Sequence, residues 1–232
     1  MTALIGMRLR GYAVTGRALA PLLAGLVVLG TLYGGGRAQA GEAYGVSAVV
    51  LLPVLAWQTK LLLDGEPDVQ RRLAAVALGS GRREVLSGLI AAVAAAIPIV
   101  GLAMVVPWLL GGITGPEQPG DAPLRTGIAL GIWAHLLLVP PAVVLGALAS
   151  RAVTRSAGRG VTTLATGVVL VLVLGLRGSP APWLVPPAMA VARLASAADP
   201  GRAVLTVTGW AVAWTVVAGA GYLGLRTFAV SR

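Results

Sequence analysis

The sequence contains no cysteine, so disulfide bonds and thiolate metal sites are excluded. Charge is nearly as scarce. Only 11% of the 232 residues are charged, against about 25% in a soluble domain. Lysine occurs once, at Lys60, and histidine once, at His135. With a single lysine there is no GxxxxGK[ST] phosphate loop. The GSGR at 79–82 lacks both the lysine and the hydroxyl that follows it, so this chain is not expected to hydrolyse ATP. Acidic residues number eight, all in loops or at the ends of apolar runs. A proton-driven transporter would bury carboxylates within its spans, so that class is disfavoured.

What fills the chain instead is apolar and small: 57% of residues are hydrophobic and 32 are glycine, with one phenylalanine. That composition predicts an all-α polytopic membrane protein, whose helices stay apolar on every face and approach closely through small residues. Six spans are expected, at 18–33, 44–63, 85–110, 126–149, 161–176 and 203–225, all within one transmembrane domain over residues 1–232. The fifth is short for a bilayer that needs about 20 residues. Pro53, Pro98, Pro107 and the Pro140-Pro141 pair lie inside spans, where membrane helices tolerate them.

Outside the spans, residues 1–17 place Ile5, Leu9 and Tyr12 on one helical face and Arg8, Arg10 and Arg17 elsewhere. This predicts an amphipathic helix lying in the lipid headgroup layer. A signal-peptide n-region is disfavoured because no small-residue cleavage site precedes another soluble domain. Residues 111–125 form a Gly- and Pro-rich loop. Residues 178–201 contain Trp183 among prolines and a short helix at 187–198, read as a re-entrant or interfacial element on the external side.

The net charge of +10 comes from 18 basic residues, 17 of them arginine. They sit at the ends of apolar runs, which marks topology and not a nucleic-acid surface. With both termini in the cytoplasm, 13 of the 18 lie inside: Arg8, Arg10, Arg17, Lys60, Arg71, Arg72, Arg82, Arg83, Arg151, Arg155, Arg159, Arg226 and Arg232. The positive-inside rule selects that orientation. The arginine, alanine and glycine bias suggests a bacterial source of high GC content.

The cytoplasmic stretch 64–87 is the most polar part of the chain and carries four of the eight acids. Asp64, Glu66 and Asp68 lead a helix with Pro67 in its first turn, an arrangement that suits the helix dipole. Val69, Leu73 and Val76 form a narrow apolar stripe flanked by Arg71 and Arg72, and Gly79 is the expected stop. A helix of about ten residues is unstable alone and has to dock. The three leading acids favour a protein over an anionic membrane.

The acidic lead, the arginine-bearing short helix and the run G-x-G-R-R-E-V-L-x-G at 79–88 resemble the ABC type-2 transporter permeases. The likeness covers essentially the whole chain. It implies that residues 64–84 form the coupling helix that seats in a cleft of a separate ABC ATPase. The residues expected to contact that subunit are Glu66, Asp68, Val69, Arg71, Arg72, Leu73 and Val76. It further implies two ATPase copies, which bind the ATP and Mg, and a second permease copy or paralogue. The second and fifth spans would line the path of a hydrophobic or amphipathic substrate. Two other readings stand beside it: a non-transporting assembly or regulatory subunit, and an intramembrane hydrolase using Ser47 and His135. The last would need an oxyanion hole around that pair.

Overall fold

Each apolar run folds into a helix, because in a non-aqueous setting the backbone satisfies its own hydrogen bonds only that way. The computed structural model describes residues 1–118 and 120–230, with side chains through 226. Arg232, counted above among the cytoplasmic basic residues, lies outside the described residues. In chain order the helices are α1 (Thr2–Val14), α2 (Leu19–Tyr33), α3 (Ala40–Leu63), α4 (Asp68–Ala77), α5 (Gly81–Leu109), α6 (Leu124–Leu148), α7 (Arg151–Thr154), α8 (Ala157–Leu174), α9 (Ala188–Ala195) and α10 (Ala203–Val230). Five of them are long and apolar enough to cross a membrane, by length and composition. The number is six if α1 and α2, bent by 70° at their junction, are taken as one broken span.

The long helices form three up–down hairpins, α2/α3, α5/α6 and α8/α10. Close approaches fix their directions. Gly41 faces Gly127, Gly131 faces Tyr44 and Gly146 faces Ala56, so α3 and α6 run parallel. Trp133 bonds Thr208 and Gly219 meets Val144, which makes α10 parallel to both. The three hairpins therefore turn at one end of the bundle, called here the turn end. α1, α4 and α7 gather at the other.

The described residues fit the all-α expectation, with one two-residue ladder beside the helices. The two residues before α3 pair with two in the α5–α6 connection as a parallel ladder, β1 (Ala38–Gln39) against β2 (Ile113–Thr114). β1 leads directly into the buried start of α3, and pairing satisfies backbone groups that would otherwise be orphaned there. β1 also explains why α3 begins at Ala40 and not at 44.

The α3–α6 seam is the centre of the core. A Cβ on Gly131 would come within 2.6 Å of the Tyr44 ring, and one on Gly146 would reach Thr59 Cβ at 2.7 Å and overlap the Ala56 carbonyl oxygen. Only glycine permits this separation, and dispersion gained along two closely packed backbones holds the pair without a hydrophobic driving force. Of its most apolar stretch, α3 buries 67%, whereas α8 buries 11% and α10 only 6%. The bundle thus has a tight centre and a loosely attached third hairpin.

The stretch 178–201 is a 3-10 turn (Pro182–Leu184) followed by α9. Ala188, Val191 and Ala195 are buried, and Gly45 brings α3 close to Ala192 and Ala195. It is therefore docked into the turn end against α3 and α6, with Trp183 left exposed.

Candidate coupling site

α4 has the ten residues its sequence pattern predicts and ends where glycine predicts. Gly79 adopts φ +63°, and the bonds Gly79 N–H to Val76 O (3.0 Å) and Ser80 N–H to Ala75 O (3.1 Å) close a Schellman motif. Ser80 then turns the chain into α5, its hydroxyl accepting from the Arg83 amide.

The orientation of α4 reverses that of an ordinary surface helix. Its inner face, against α5, carries Ala74 and Ala75. Its bulky aliphatic residues point outward: Val69, Leu73 and Val76 are 68%, 65% and 80% exposed. No residue of α4 is buried. Arg72 and Asp68 share the outer side. The stripe expected to dock on something is thus intact and uncovered.

Two residues assigned to that contact face inward instead. Glu66 is bound to Arg8 by two bonds, Nε to Oε1 at 2.9 Å and Nη2 to Oε2 at 2.7 Å. Arg71 donates to the Leu63 and Glu66 carbonyl oxygens at 3.2 and 3.0 Å and pairs with Asp68. Both hold the loop in shape and neither is free for a partner. The acidic lead is also dispersed. Asp64 Oδ1 accepts from the Arg151 amide at the start of α7 (2.6 Å), and its Oδ2 pairs with Lys60 (2.6 Å). Only Asp68 remains in the first turn of α4, and Pro67 is its N-cap. The end of α3 and the start of α7 supply better partners than a helix dipole does, since a charged hydrogen bond is worth more than a dipole contact.

Arg8 lies on the opposite face of α1 from the one expected. Rather than reaching headgroups it is buried with all five guanidinium N–H groups bonded. Besides the two bonds to Glu66, Nη2 reaches Glu84 Oε1 (2.6 Å), and Nη1 reaches the Glu84 carbonyl (2.9 Å) and Ser87 Oγ (2.7 Å). Burial by itself would lower the Arg8 pKa, but the hydrogen bonds and charges of Glu66 and Glu84 outweigh it and the net shift is upward. Glu84 Oε2 accepts from Arg226 at the end of α10 (2.8 Å). Ile5, Leu9 and Tyr12, assigned to the lipid side, pack on Leu62 and Ala91 instead. Met7 and Val14 are the large exposed apolar residues of α1.

Arg8, Glu84, Ser87 and Arg226 are the residues that sequence reasoning missed. The available signal was Glu84, an acid directly after two arginines at the start of a span. A carboxylate there costs several kcal/mol to bury unless paired.

Ser47 and His135 do meet, Oγ to Nε2 at 3.2 Å, while His135 Nδ1 lies 2.8 Å from the Gly131 carbonyl oxygen. The carbonyl requires a proton on Nδ1, so Nε2 is the acceptor and the serine hydroxyl donates. Ser47 is 0% and His135 2% exposed. The bond clamps α3 to α6 from within their seam, and the partner of His135 is a carbonyl and not a carboxylate. Ser47→Ala is expected to cost about 1 kcal/mol, as for a buried hydrogen bond lost with its donor. A thermal melt in detergent measures it.

The chain matches no known family profile, and neither a curated protein nor a solved structure shows significant similarity to it.

Proposed function

We propose that this chain is the membrane subunit of an ATP-driven exporter resembling the ABC type-2 permeases. It works with two copies of a separate ATPase subunit and a second permease copy or paralogue, and α4 is its coupling helix. The observation that carries this reading is α4 itself. It is a capped helix with its aliphatic side chains turned outward and its root clamped into the bundle by Glu66, Arg71 and Asp64. A helix built this way presents three aliphatic knobs to a groove while transmitting force at its base. Arg72, Arg82 and Arg83 are exposed around it, so the complementary groove is apolar with an acidic rim. The ATP and Mg belong to that partner.

In this reading the chain crosses six times, the five long apolar helices being joined by a first crossing that takes in α2 and the bent α1 before it. The α4 end carries Arg8, Arg10, Arg17, Lys60, Arg71, Arg72, Arg82, Arg83, Arg151, Arg155, Arg159 and Arg226, while the turn end carries Arg37, Arg125, Arg177, Arg193 and Arg202. That asymmetry supports a cytoplasmic α4 end in a bacterial plasma membrane. The path for a lipid, natural product, drug or peptide runs along α3 and α8, a reading taken from the resemblance. α3 leaves one narrow uncovered stripe, Val46, Val50, Pro53 and Trp57, consistent with a surface that faces a second copy or a substrate.

The test is purification of the tagged chain from its native membranes. A stoichiometric ATPase subunit is the expected result. Its absence sinks the exporter reading and favours an assembly or regulatory subunit. The 3.2 Å approach of Ser47 to His135 favours a hydrolase as a second reading. A fluorophosphonate probe separates the two: no labelling is expected at Ser47, and labelling lost in His135→Ala would install the hydrolase.

A further inference from the structure

We propose that the charged chain Glu66–Arg8–Glu84–Arg226 makes α10 move with α4, with Arg8, Glu84 and Arg226 acting as positioning residues for the coupling helix. This deepens the reading of α4 as the coupling helix and takes its purpose from it. Its test is independent of any ATPase.

α10 is the least embedded of the long helices. Far from α4 it is held by bonds from Trp133 to Thr208 and from Trp214 to the Leu184 carbonyl. Near α4 it is held by buried Tyr222 against Val85 and Ala147, and by Arg226 on Glu84. Glu84 is the junction, giving one carboxylate oxygen to Arg8 and the other to Arg226. Arg8 is shared in the same way between Glu84 and Glu66, the residue two positions before α4. The four side chains are between 4% and 13% exposed. They carry two positive and two negative charges, so the chain is neutral as a unit and is left charged by a break at either end.

Those properties decide how it responds to force. An exposed ion pair yields, because water replaces either partner. Here opening an end link strands a buried Glu66 or Arg226, and opening the middle one breaks three bonds from Arg8, to Glu84 Oε1, the Glu84 carbonyl and Ser87 Oγ, so a displaced Glu66 draws Arg8, Glu84 and Arg226 with it. The planar guanidinium of Arg8, bonded through every N–H, also fixes direction, which a lysine ammonium would not. Every connection lies within one shell of side chains linking four elements: α1, the loop before α4, the start of α5 and the end of α10.

The chain has no cysteine, so labels are placed without background. Nitroxides at Val76→Cys on α4 and Ile132→Cys on α6, both exposed, report the position of α4 against the rigid seam. The full chain in lipid nanodiscs is measured with and without Arg226→Gln, a substitution on α10. About a twofold broadening of the label-to-label distance distribution is expected. Trp133→Phe, which removes the far-end bond to α10, is expected to leave the width unchanged. An unaltered width in Arg226→Gln overturns the proposal, as does equal broadening by Trp133→Phe. If Arg226→Gln fails to insert, Glu84→Asp shortens the junction and is measured in the same way, with an unchanged width again overturning the linkage. Failure of ATPase co-purification would remove the coupling reading and leave these distances as informative as before.

Discussion

Arg72→Glu combined with Leu73→Asp is expected to weaken association with the proposed ATPase subunit strongly while the chain still inserts and melts as the parent does. Leu73 is 65% exposed and Arg72 is exposed beside it, so neither supports the fold. Exposed substitutions of this kind change stability by only about 0.5 kcal/mol. The consequence for docking is much larger. A carboxylate at the central position of the Val69–Leu73–Val76 stripe would have to be desolvated in an apolar groove, and an acid at 72 would face an acidic rim. Removing one anchor of an interface costs about 2 kcal/mol or more, and about 1.4 kcal/mol is a tenfold change in affinity. The double substitution should therefore weaken binding roughly 100-fold. Co-purification of the ATPase and nucleotide hydrolysis by the reconstituted complex are the readouts. Undiminished recovery of the partner would show that α4 docks elsewhere or on nothing. Glu66→Gln separates the two faces of the loop: it should disturb stability through Arg8, because Glu66 does not reach the outer surface.

Gly146→Ala is expected to be the most damaging single-methyl change in the membrane core. The added Cβ would overlap the Ala56 carbonyl oxygen and stand 2.7 Å from Thr59 Cβ. Neither neighbour can yield easily, since one is helix backbone and the other a β-branched residue on the same helix. α3 and α6 must therefore separate along a seam that Gly41, Gly127 and Gly131 also require to be tight. Overpacking of this kind costs about 3 kcal/mol, enough to lose most of the folded protein in a marginally stable chain. Gly101→Ala in α5 is the matched control. It adds the same methyl group into open space and should be neutral or slightly stabilising through helix propensity. Melting temperatures of the two variants in one detergent make the comparison. Equal behaviour would mean that α3 and α6 do not approach as described.

The polar stretch 64–87 shows where sequence reasoning holds and where it stops. The length of α4, its stop at Gly79 and its aliphatic stripe follow from local rules acting within a few residues. The fate of its acids does not. Asp64, Glu66 and Asp68 look alike along the chain, yet they bind α7, α1 and their own helix respectively. Each choice depends on which cation is brought near in space, and the separations of 87 and 58 residues to Arg151 and Arg8 carry no local signature. Arg8 shows the same limit. An arginine on an amphipathic helix satisfies a headgroup or a buried carboxylate equally well until α5 delivers Glu84.

Composition and periodicity alone determined that this is a helical chain suited to a membrane, where its apolar runs begin and end to within a few residues, and that one short polar helix interrupts them. These follow because hydropathy and capping act locally. Only the tertiary structure decided which face of each helix is covered: the parallel α3–α6 seam, the docking of α9, the meeting of Ser47 with His135 and the charged chain from Glu66 to Arg226. Lipid and protein are equally apolar, so nothing in a span's own residues distinguishes the face that meets a helix from the face that meets the bilayer.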